Sequence, residues 1–350
     1  MLYRSTIGYL VYGISLLLWV TETRAQTPTS PERESTAHFS GKTINLIVGL
    51  SAGGGYDTYA RFFARHYPKH LPGRPQVVVQ NMPGAGGLRA ATYLYSVAPK
   101  DGTTIATFGP SVILEPLLGN PQASFDPAKF NWIGNLNKDV LSCGVWRTSG
   151  LSTFRDVEAR GGIFGGTGPL TLTTQHALLL KNLLELKVKV VQGFGGTNEV
   201  NLAMQRGEVD GTCGMFLSTI RGPYSQHVRS GDLKLIVQFT RHKEKDFGHA
   251  ESIYDLVKRE DDKIVLDFLL MPIDISRPLV APPDIPVVIM EVLRRGFNSA
   301  VLDPDLIAES KKIGIEVNYQ TSSEVSMAFG KILETPPHLI DRAKELISKQ

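Results

Sequence analysis

Glycine-rich loops are the residues of this sequence whose types and spacing best suit a chemical task. Each loop follows a short apolar run; they are residues 51–55, 81–87, 109–111, 165–169, 193–197 and 214–216. A glycine loop that enters a helix leaves backbone N–H groups unpaired, and the helix dipole adds partial positive charge at the same place. An anion is favoured there, with roughly 1.5–3 kcal/mol from each hydrogen bond to a charged acceptor. The alternative is that these glycines only permit tight turns.

Basic and metal-binding side chains contribute little to these loops. Apart from Arg89 at a helix start, the loops contain no Lys or Arg, which favours a small anion held by amides over a polyphosphate. The first two loops lack the dinucleotide-binding spacing, so we expect no cofactor. His66 and His70 are four residues apart, but Pro68 between them breaks a helix, so we expect no metal site.

A serine in the first loop raises an enzymatic alternative. Residues 49–53, Gly-Leu-Ser-Ala-Gly, match the nucleophile elbow of serine hydrolases and lie between a strand and a helix. Ser51 would be the nucleophile and His338 its histidine. That elbow needs an earlier strand whose loop supplies the oxyanion hole, whereas this loop follows the first strand of the mature chain. We therefore expect no catalytic residue and a protein that is not an enzyme, with a Ser51 esterase as the alternative.

Strand, loop and helix follow one another three times in each half of the chain. The predicted strands are residues 44–48, 76–79 and 103–108 in the first half and 162–164, 188–191 and 209–213 in the second. This pattern predicts two doubly wound α/β lobes. Ligands of open α/β sheets bind at the carboxyl ends of the strands, where all of these loops lie. If the lobes face each other, the loops line one cleft.

Length, charge and cysteine content narrow the function further. The chain has 350 residues, 42% of them apolar, which is enough for two cores. Its formal net charge of +3, without a basic stripe, argues against a nucleic-acid partner. Two cysteines cannot make a disulfide scaffold, and their spacing fits no zinc motif.

The N-terminus has the pattern of an export signal. Arg4 precedes an uncharged run at residues 7–20, and Thr23 and Ala25 suit the small positions before a cleavage site. We therefore predict a signal peptide over residues 1–25, with a short membrane anchor as the alternative. Residues 26–40 are polar and rich in Pro, Ser and Thr, which predicts a flexible leader. No later segment is long and apolar enough to span a membrane.

Two segments in the first half resemble the Bug/TctC family, the extracytoplasmic solute-binding receptors of tripartite tricarboxylate transporters. They are residues 51–61, SAGGGYDTYAR, and residues 77–87, VVVQNMPGAGG. Residues 98–104, 207–211 and 230–235 continue the resemblance, which spans nearly all of the mature chain. The resemblance implies an α/β type II periplasmic-binding-protein fold with a ligand cleft between two lobes. It divides the chain into lobe 1, residues 41–138 plus 270–350, and lobe 2, residues 139–269.

The resemblance also implies a function and a set of binding residues. The protein would be a periplasmic, monomeric receptor of a Gram-negative bacterium that captures a small carboxylate for the membrane subunits of a tripartite transporter. A ligand sensor for a two-component system is a further alternative. The ligand contacts carried over from the family are Ala52, Gly53, Gly54, Gly55, Tyr56, Asp57, Gly84, Ala85, Gly86, Gly87, Pro110, Ser111, Thr167, Gly168, Gly195, Thr197, Asn198 and Met215.

Some residues depart from the family pattern. Ser51 stands where the family commonly has proline, and Met215 with Phe216 stands where it often has a polar contact. Residues 269–283 follow the family only loosely, with 277–283 as the nearest match. Asp57 and Arg61, four residues apart on the first helix, favour a structural ion pair. These departures leave the identity of the ligand open.

The resemblance also implies where the two cysteines lie relative to each other. In the implied fold, residues 141–146 lie antiparallel to residues 209–213, which makes Cys143 and Cys213 cross-strand neighbours. An oxidising periplasm permits a bond between them. The hypothesis is a disulfide, and the alternative is two buried free thiols.

Overall fold

The computed structural model describes Met1 and residues 31–348. The predicted signal peptide, apart from Met1, lies outside the described residues. The strands are β1 (Thr43–Val48), β2 (Gln76–Asn81), β3 (Thr104–Thr107), β4 (Asn131–Asn135), β5 (Leu141–Trp146), β6 (Gly162–Gly165), β7 (Val188–Val191), β8 (Gly211–Phe216), β9 (Leu233–Gln238), β10 (Glu251–Ser252), β11 (Pro278–Ala281) and β12 (Gln320–Thr321).

Helices cover and connect these strands. They are α1 (Pro31–Phe39), α2 (Gly55–His66), α3 (Leu88–Ser96), α4 (Phe154–Arg160), α5 (Leu172–Asn182), α6 (Thr197–Gln205), α7 (Leu217–Arg221), α8 (Ser225–Ser230), α9 (Ile253–Leu256), α10 (Glu260–Leu270), α11 (Val287–Val301), α12 (Pro304–Ile313), α13 (Ser322–Leu333) and α14 (Pro337–Ser348). Short 3₁₀ turns lie between them, including Ala85–Gly87, Pro110–Leu114 and Met271–Ile275. None of the helices in the described residues is long and apolar enough to cross a bilayer.

The strands form two six-stranded sheets with matching arrangements. The first sheet has the order β12-β4-β11-β3-β1-β2 and the second has the order β10-β9-β5-β8-β6-β7. In each, three strands are parallel, β2-β1-β3 and β7-β6-β8, and the next strand, β11 or β5, is antiparallel to them. We call each sheet with the helices packed on it a lobe, lobe 1 and lobe 2; domain boundaries at residues 138 and 270 stay a prediction.

Burial along the strands follows from these positions. Every residue of the central strands β3, β5, β8 and β11 is buried, because helices or neighbouring chain cover both faces. The edge strand β2 instead alternates between exposed and half-buried residues. The apolar runs of the central strands therefore fix the cores.

The chain crosses between the sheets twice, at neighbouring positions. It leaves the first sheet after β4 and returns through the 3₁₀ turn that precedes β11. The two crossings are bonded together: the Asn135 side chain accepts from the Arg277 N–H at 2.7 Å, and the Leu136 N–H donates to the Arg277 carbonyl at 3.0 Å. The Ser276 hydroxyl also donates to the Asn137 carbonyl at 2.5 Å. Residue 277 is thereby fixed at the junction of the lobes.

The predicted flexible leader is wrong over residues 31–39, which form helix α1. The physical reason is Phe39, which is fully buried and belongs to the main core. The ring of His38 also meets the Asp101 carbonyl at 2.6 Å, which ties the helix to the loop before β3. The buried ring of Phe39 and the contact of His38 together dock this polar segment.

The two cysteines are bonded to each other. Cys143 on β5 and Cys213 on β8 have Cα atoms 3.9 Å apart and form a disulfide, at the point where the pairing register of these antiparallel strands shifts. The disulfide hypothesis is confirmed, and no free cysteine remains in the described part of the chain. The bond joins cysteines that are 70 residues apart in sequence, and Cys213 directly precedes residues 214–216, which the sequence predicted as a loop and which form the end of β8.

Candidate functional site

Three helices begin at one cleft between the lobes. α2 begins at Gly55, α5 at Leu172 and α6 at Thr197, each after the loop that follows a parallel strand. No side chain caps the first turn of any of the three. Their first N–H groups are therefore available to an acceptor, and three helix dipoles add positive potential at the same place. As the sequence predicts, loops from both halves of the chain meet here.

Loops of the two lobes contact each other around this cleft. The Ser51 N–H donates to the Gly195 carbonyl at 3.2 Å, and the Ser51 hydroxyl donates to Oε1 of Glu199 at 2.7 Å. Farther along the cleft, Gly86 has φ of 67° and lies against Thr171: a Cβ at position 86 would fall 1.9 Å from Thr171 Cγ2. The lobes are therefore closed on each other, and only glycine fits at position 86 in this state.

The contact with Glu199 bears on the alternative of a serine nucleophile. One oxygen of Glu199 accepts from the Ser51 hydroxyl, and the other accepts from the Gly195 N–H at 2.7 Å. No histidine of the described chain hydrogen-bonds to Ser51, and His338 lies in the first turn of α14. The nucleophile–histidine pair that a serine hydrolase needs is not assembled in this structure.

Two adjoining cavities lie between the helix N-termini. In the first, which we call the arginine cavity, Arg277 is part of the wall. In the second, the threonine cavity, Thr171 is part of the wall. Both walls are mainly apolar with a few polar groups, as in small-molecule sites. The residues common to both walls are Tyr56, Thr197, Gly214 and Phe216.

The predicted ligand-binding residues fall into three groups. Seven line the two cavities: Gly55, Tyr56, Gly86, Ser111, Thr167, Thr197 and Met215. Two lie on a wider pocket at the mouth of the cleft: Gly53 and Asn198. The structure places the other nine outside these walls: Ala52, Gly54, Asp57, Gly84, Ala85, Gly87, Pro110, Gly168 and Gly195. Of these nine, Gly54, Gly168 and Gly195 lie where the lobes touch.

Asp57 braces the first loop rather than facing a cavity. Its buried carboxylate accepts from the Gly53 N–H, Arg61 Nε and Asn81 Nδ2, each at 2.9 Å. Burial alone would raise the pKa of Asp57, but the hydrogen bonds from Arg61, Gly53 and Asn81 hold it below its ordinary value. The predicted ion pair with Arg61 is confirmed. Because its acceptors are occupied, Asp57 shapes the loop that α2 follows.

Hydroxyl groups organise the wall of the threonine cavity. The side-chain oxygen of Thr173 lies 3.1 Å from that of Thr167 and 2.9 Å from that of Thr171. It also accepts the Thr167 N–H at 2.9 Å, while the Thr171 hydroxyl donates to the Gly168 carbonyl at 2.9 Å. This network fixes the loop between β6 and α5 and leaves few rotamers open to these threonines.

Arg277 is the main site residue that the sequence analysis missed. Its side chain is 1% exposed, and its guanidinium carbon lies 4.1 Å from the ring centre of Phe216, 4.7 Å from that of Tyr56 and 4.9 Å from that of Tyr59. Nη1 donates to the Ser276 carbonyl at 2.9 Å, while Nε has no partner. The sequence signal was a charged residue directly before an apolar strand, inside the stretch that departs from the family pattern.

Other donors around the cavities are also buried without partners. The hydroxyl of Tyr56 and Nδ2 of Asn201 have no hydrogen-bond partner in the described chain. Burial raises the pKa of Tyr56 to about 12 against the opposing charge of Arg277, so the phenol keeps its proton at neutral pH. The residues that the sequence analysis did not assign to the site are Leu50, Gly109, Thr171, Leu172, Thr173, Asn201, Thr212, Cys213, Gly214, Phe216, Thr219, Tyr224 and Arg277.

Sequence comparison finds relatives along nearly the whole chain. The UPF0065 protein in the gbd 5′ region of Cupriavidus necator is 25% identical over 321 residues, which cover 89% of this chain and 90% of the relative. The UPF0065 protein in the TAR-I ttuE–ttuC′ intergenic region of Agrobacterium vitis is 24% identical over 307 residues, which cover 86% and 80%. No family model matches the chain.

Solved structures share the fold. The periplasmic binding protein BugD has a TM-score of 0.70 at 18% identity, covering 89% of this chain and 98% of BugD. MatC from Rhodopseudomonas palustris, solved with malate, has a TM-score of 0.67 at 20% identity, covering 88% and 100%. An R. palustris protein solved with adipate has a TM-score of 0.65 at 15% identity, covering 88% and 98%. The predicted two-lobed fold and the resemblance to the Bug/TctC family are confirmed.

Proposed function

We propose that this chain, with a Bug/TctC fold and relatives along nearly its whole length, is a periplasmic receptor that captures a small carboxylate and presents it to the membrane subunits of a tripartite transporter. The proteins solved with malate and with adipate share the fold, and both of those ligands are carboxylates. The likeness to periplasmic binding proteins supports the location. Transport rather than sensing is the role we adopt, with one molecule of the receptor acting as a monomer.

The observation that carries this proposal is the convergence of uncapped helix N-termini on one cleft. α2 belongs to lobe 1 and α5 and α6 belong to lobe 2, so only the closed molecule brings all three ends together. Each end offers N–H donors and partial positive charge to a carboxylate. The hydroxyl of Tyr56 and the guanidinium of Arg277 add further donors beside them.

Because the donors are divided between the two lobes, binding of a carboxylate favours closure of the cleft. A carboxylate that binds the loops of one lobe makes a few charge-assisted hydrogen bonds, and it gains those of the other lobe only when the cleft closes. The ligand therefore stabilises the closed state by the difference between its contacts in the two states. A transporter that recognises the closed pair of lobes would then receive loaded receptor in preference to empty receptor.

A thermal-unfolding screen of the mature protein tests the proposal. The panel is a set of mono-, di- and tricarboxylates, amino acids and aromatic acids, each with its neutral alcohol or amide as a matched control. A carboxylate present at about 100 times its dissociation constant stabilises the protein by about 2.7 kcal/mol. Refolding the protein from denaturant before the screen removes any acid that copurifies with it.

Two outcomes contradict the proposal. If neutral controls stabilise the protein as much as their acids, the cleft is not an anion site. If no acid in the panel shifts the unfolding transition, capture of a small carboxylate is wrong. Calorimetric titration of the best acid then gives the stoichiometry, which is one acid per chain if the two adjoining cavities form one site.

A further inference from the structure

Arg277 carries a charge that the described chain does not neutralise. Its side chain is almost fully buried, yet among the described residues it forms no ion pair within 4.0 Å and donates one hydrogen bond, from Nη1 to the Ser276 carbonyl. Burial of a charge without an opposite charge is costly, and removing one partner of a buried pair is strongly destabilising. The buried arginine therefore needs compensation from something beside it.

Aromatic rings supply part of this compensation. The guanidinium lies over the rings of Phe216, Tyr56 and Tyr59, and a cation over an aromatic face is attracted to the negative part of the ring quadrupole. Arginine suits such a place better than lysine because its planar group stacks on rings and still presents N–H donors at its edge. The rings offer no strong hydrogen-bond acceptor, however, and Nε has no partner.

The nearby carboxylate of Asp139 does not complete the site. Its charge acts on both Tyr56 and Tyr59, but its oxygens are occupied by the hydroxyl and N–H of Ser218 and by the Val140 N–H. Asp139 also forms no ion pair within 4.0 Å in the described chain. No oxygen of Asp139 forms an ion pair with the guanidinium, so the donors of Arg277 have no anionic acceptor in the described chain.

The position of Nη2 indicates where such an acceptor belongs. Nη2 lies 3.5 Å from the point that a Cβ on Gly55 would occupy, so the guanidinium stands beside the N-terminus of α2. Two sources of positive potential, an arginine and a helix N-terminus, are thereby held next to each other, which is unfavourable unless an anion joins them. The same cavity wall contains Met215, Phe216 and Tyr224, which suit an apolar group.

We propose that Arg277 is the charge partner of the captured acid: the carboxylate binds between its guanidinium and the N-terminus of α2, and an apolar body rests on Met215, Phe216 and Tyr224. This inference rests on the proposed function and narrows the substrate class to small acids with an aliphatic or aromatic body. A forked guanidinium–carboxylate contact is short, directional and specific for a planar anion. It sets a preference for acid over amide that backbone amides alone do not provide.

Calorimetric titration with matched acid–amide pairs tests the inference. The probes are benzoate with benzamide, phenylacetate with phenylacetamide, and adipate with adipamide. We expect the wild-type protein to bind the best acid at least tenfold more tightly than its amide. In Arg277→Met we expect this preference to fall to about twofold or less, and in Arg277→Lys to fall to an intermediate value because the charge remains but the fork is lost.

The control variant is Arg294→Met. Arg294 is also partly buried and donates through Nε to a backbone carbonyl, that of Trp132, at 3.0 Å, but it lies outside the walls of both cavities. This variant keeps the wild-type preference for acid. If Arg277→Met does not fold by circular dichroism, Arg277→Gln, which retains donors without charge, takes its place in the comparison.

The outcomes separate this inference from the function on which it rests. If wild type prefers acids and Arg277→Met keeps the same preference, the inference fails and the proposed function stands. If both members of a pair lose affinity equally in Arg277→Met, Arg277 only holds the cavity in shape, and the inference again fails. If no acid of the wider carboxylate panel binds the wild type, the proposed function and the inference fail together.

Discussion

The substitution Gly86→Ala should block closure of the lobes and so weaken capture of an acid. An alanine Cβ at position 86 would lie 1.9 Å from Cγ2 of Thr171, whereas its next contacts, at 3.4 and 3.7 Å, are ordinary. Thr171 cannot rotate away freely, because its hydroxyl accepts from the Gly168 N–H and donates to the Gly168 carbonyl. Closure must therefore break these bonds or stop short of full contact.

The expected loss of affinity in Gly86→Ala follows from the hydrogen bonds between Thr171 and Gly168 that closure would break. Loss of one or two buried hydrogen bonds costs about 1.5–3 kcal/mol, which is about a 10- to 100-fold change in an equilibrium. Because the clash exists only when the lobes meet, this cost falls on the closed state, and the dissociation constant of the best acid should rise by that factor. Radius of gyration from small-angle scattering with saturating acid should also exceed that of the wild type.

A second substitution distinguishes the clash from general damage. Thr171→Ser removes Cγ2 and keeps the hydroxyl, so the double variant Gly86→Ala/Thr171→Ser should recover most of the lost affinity, and Thr171→Ser alone should bind like wild type. Gly86 also has φ of 67°, which alanine adopts at a cost of about 1–2 kcal/mol in open and closed states alike. Gly207→Ala controls for that strain, because Gly207 has φ of 74° and open space around it. Wild-type affinity in Gly86→Ala, or no recovery in the double variant, would refute the reasoning.

Three further variants test other parts of the structure. Ser51→Ala removes the hydroxyl that joins the lobes, and in calorimetric titration it should weaken acid binding about fivefold, which corresponds to about 1 kcal/mol for an exposed hydrogen bond to a carboxylate. The control Ser230→Ala, which removes a similar hydrogen bond within one lobe, should bind the acid as tightly as wild type. Burial raises the pKa of Glu115 to about 7, so its contribution to stability is present below about pH 4.5 and is lost as the pH rises to 7. At pH 8, the free energy of unfolding of Glu115→Gln, measured by denaturant titration, should therefore exceed that of wild type by about 3 kcal/mol, whereas at pH 4 the two should be equal. The same difference at both pH values would contradict this. Replacing Cys143 and Cys213 together with alanine should lower the free energy of unfolding by about 2–4 kcal/mol, and intact mass before and after reduction and alkylation should show the bond in the wild type.

The strands, helices and glycine loops that carry this site could be predicted from the sequence, because local sequence signals define them. The strand predicted at residues 44–48 is observed as Thr43–Val48, and the strand predicted at residues 188–191 is observed as Val188–Val191. Glycine loops, apolar runs and helical periodicity are short-range sequence features. The strand–loop–helix unit occurs in both halves of the chain, so each feature can be recognised twice. The fold and the meeting of the loops could therefore be predicted before the structure.

Contacts between distant segments could not be predicted in the same way. Arg277 is far in sequence from Tyr56 and Phe216, and the three come together only because the chain crosses between the sheets twice at neighbouring points. Docking of the leader through Phe39 depends likewise on a core that no local pattern reveals. The nine predicted binding residues outside the cavity walls include several that shape the loops, such as Asp57, because a sequence motif does not separate residues that touch a ligand from residues that hold the loop.

If the proposed function holds, the distribution of polar groups across the cleft couples closure to ligand capture. Direct contacts between the lobes lie at the rim, where Ser51 meets Glu199 and Arg221 of lobe 2 pairs with Glu316 of lobe 1 at 3.2 Å. The interior instead collects donors: three helix N-termini and the guanidinium of Arg277. Under the proposed function, the rim contacts favour closure, while the positive potential of the interior opposes it until a negative group binds. A bound carboxylate would remove that opposition, so that a few rim contacts of modest strength would hold the loaded form.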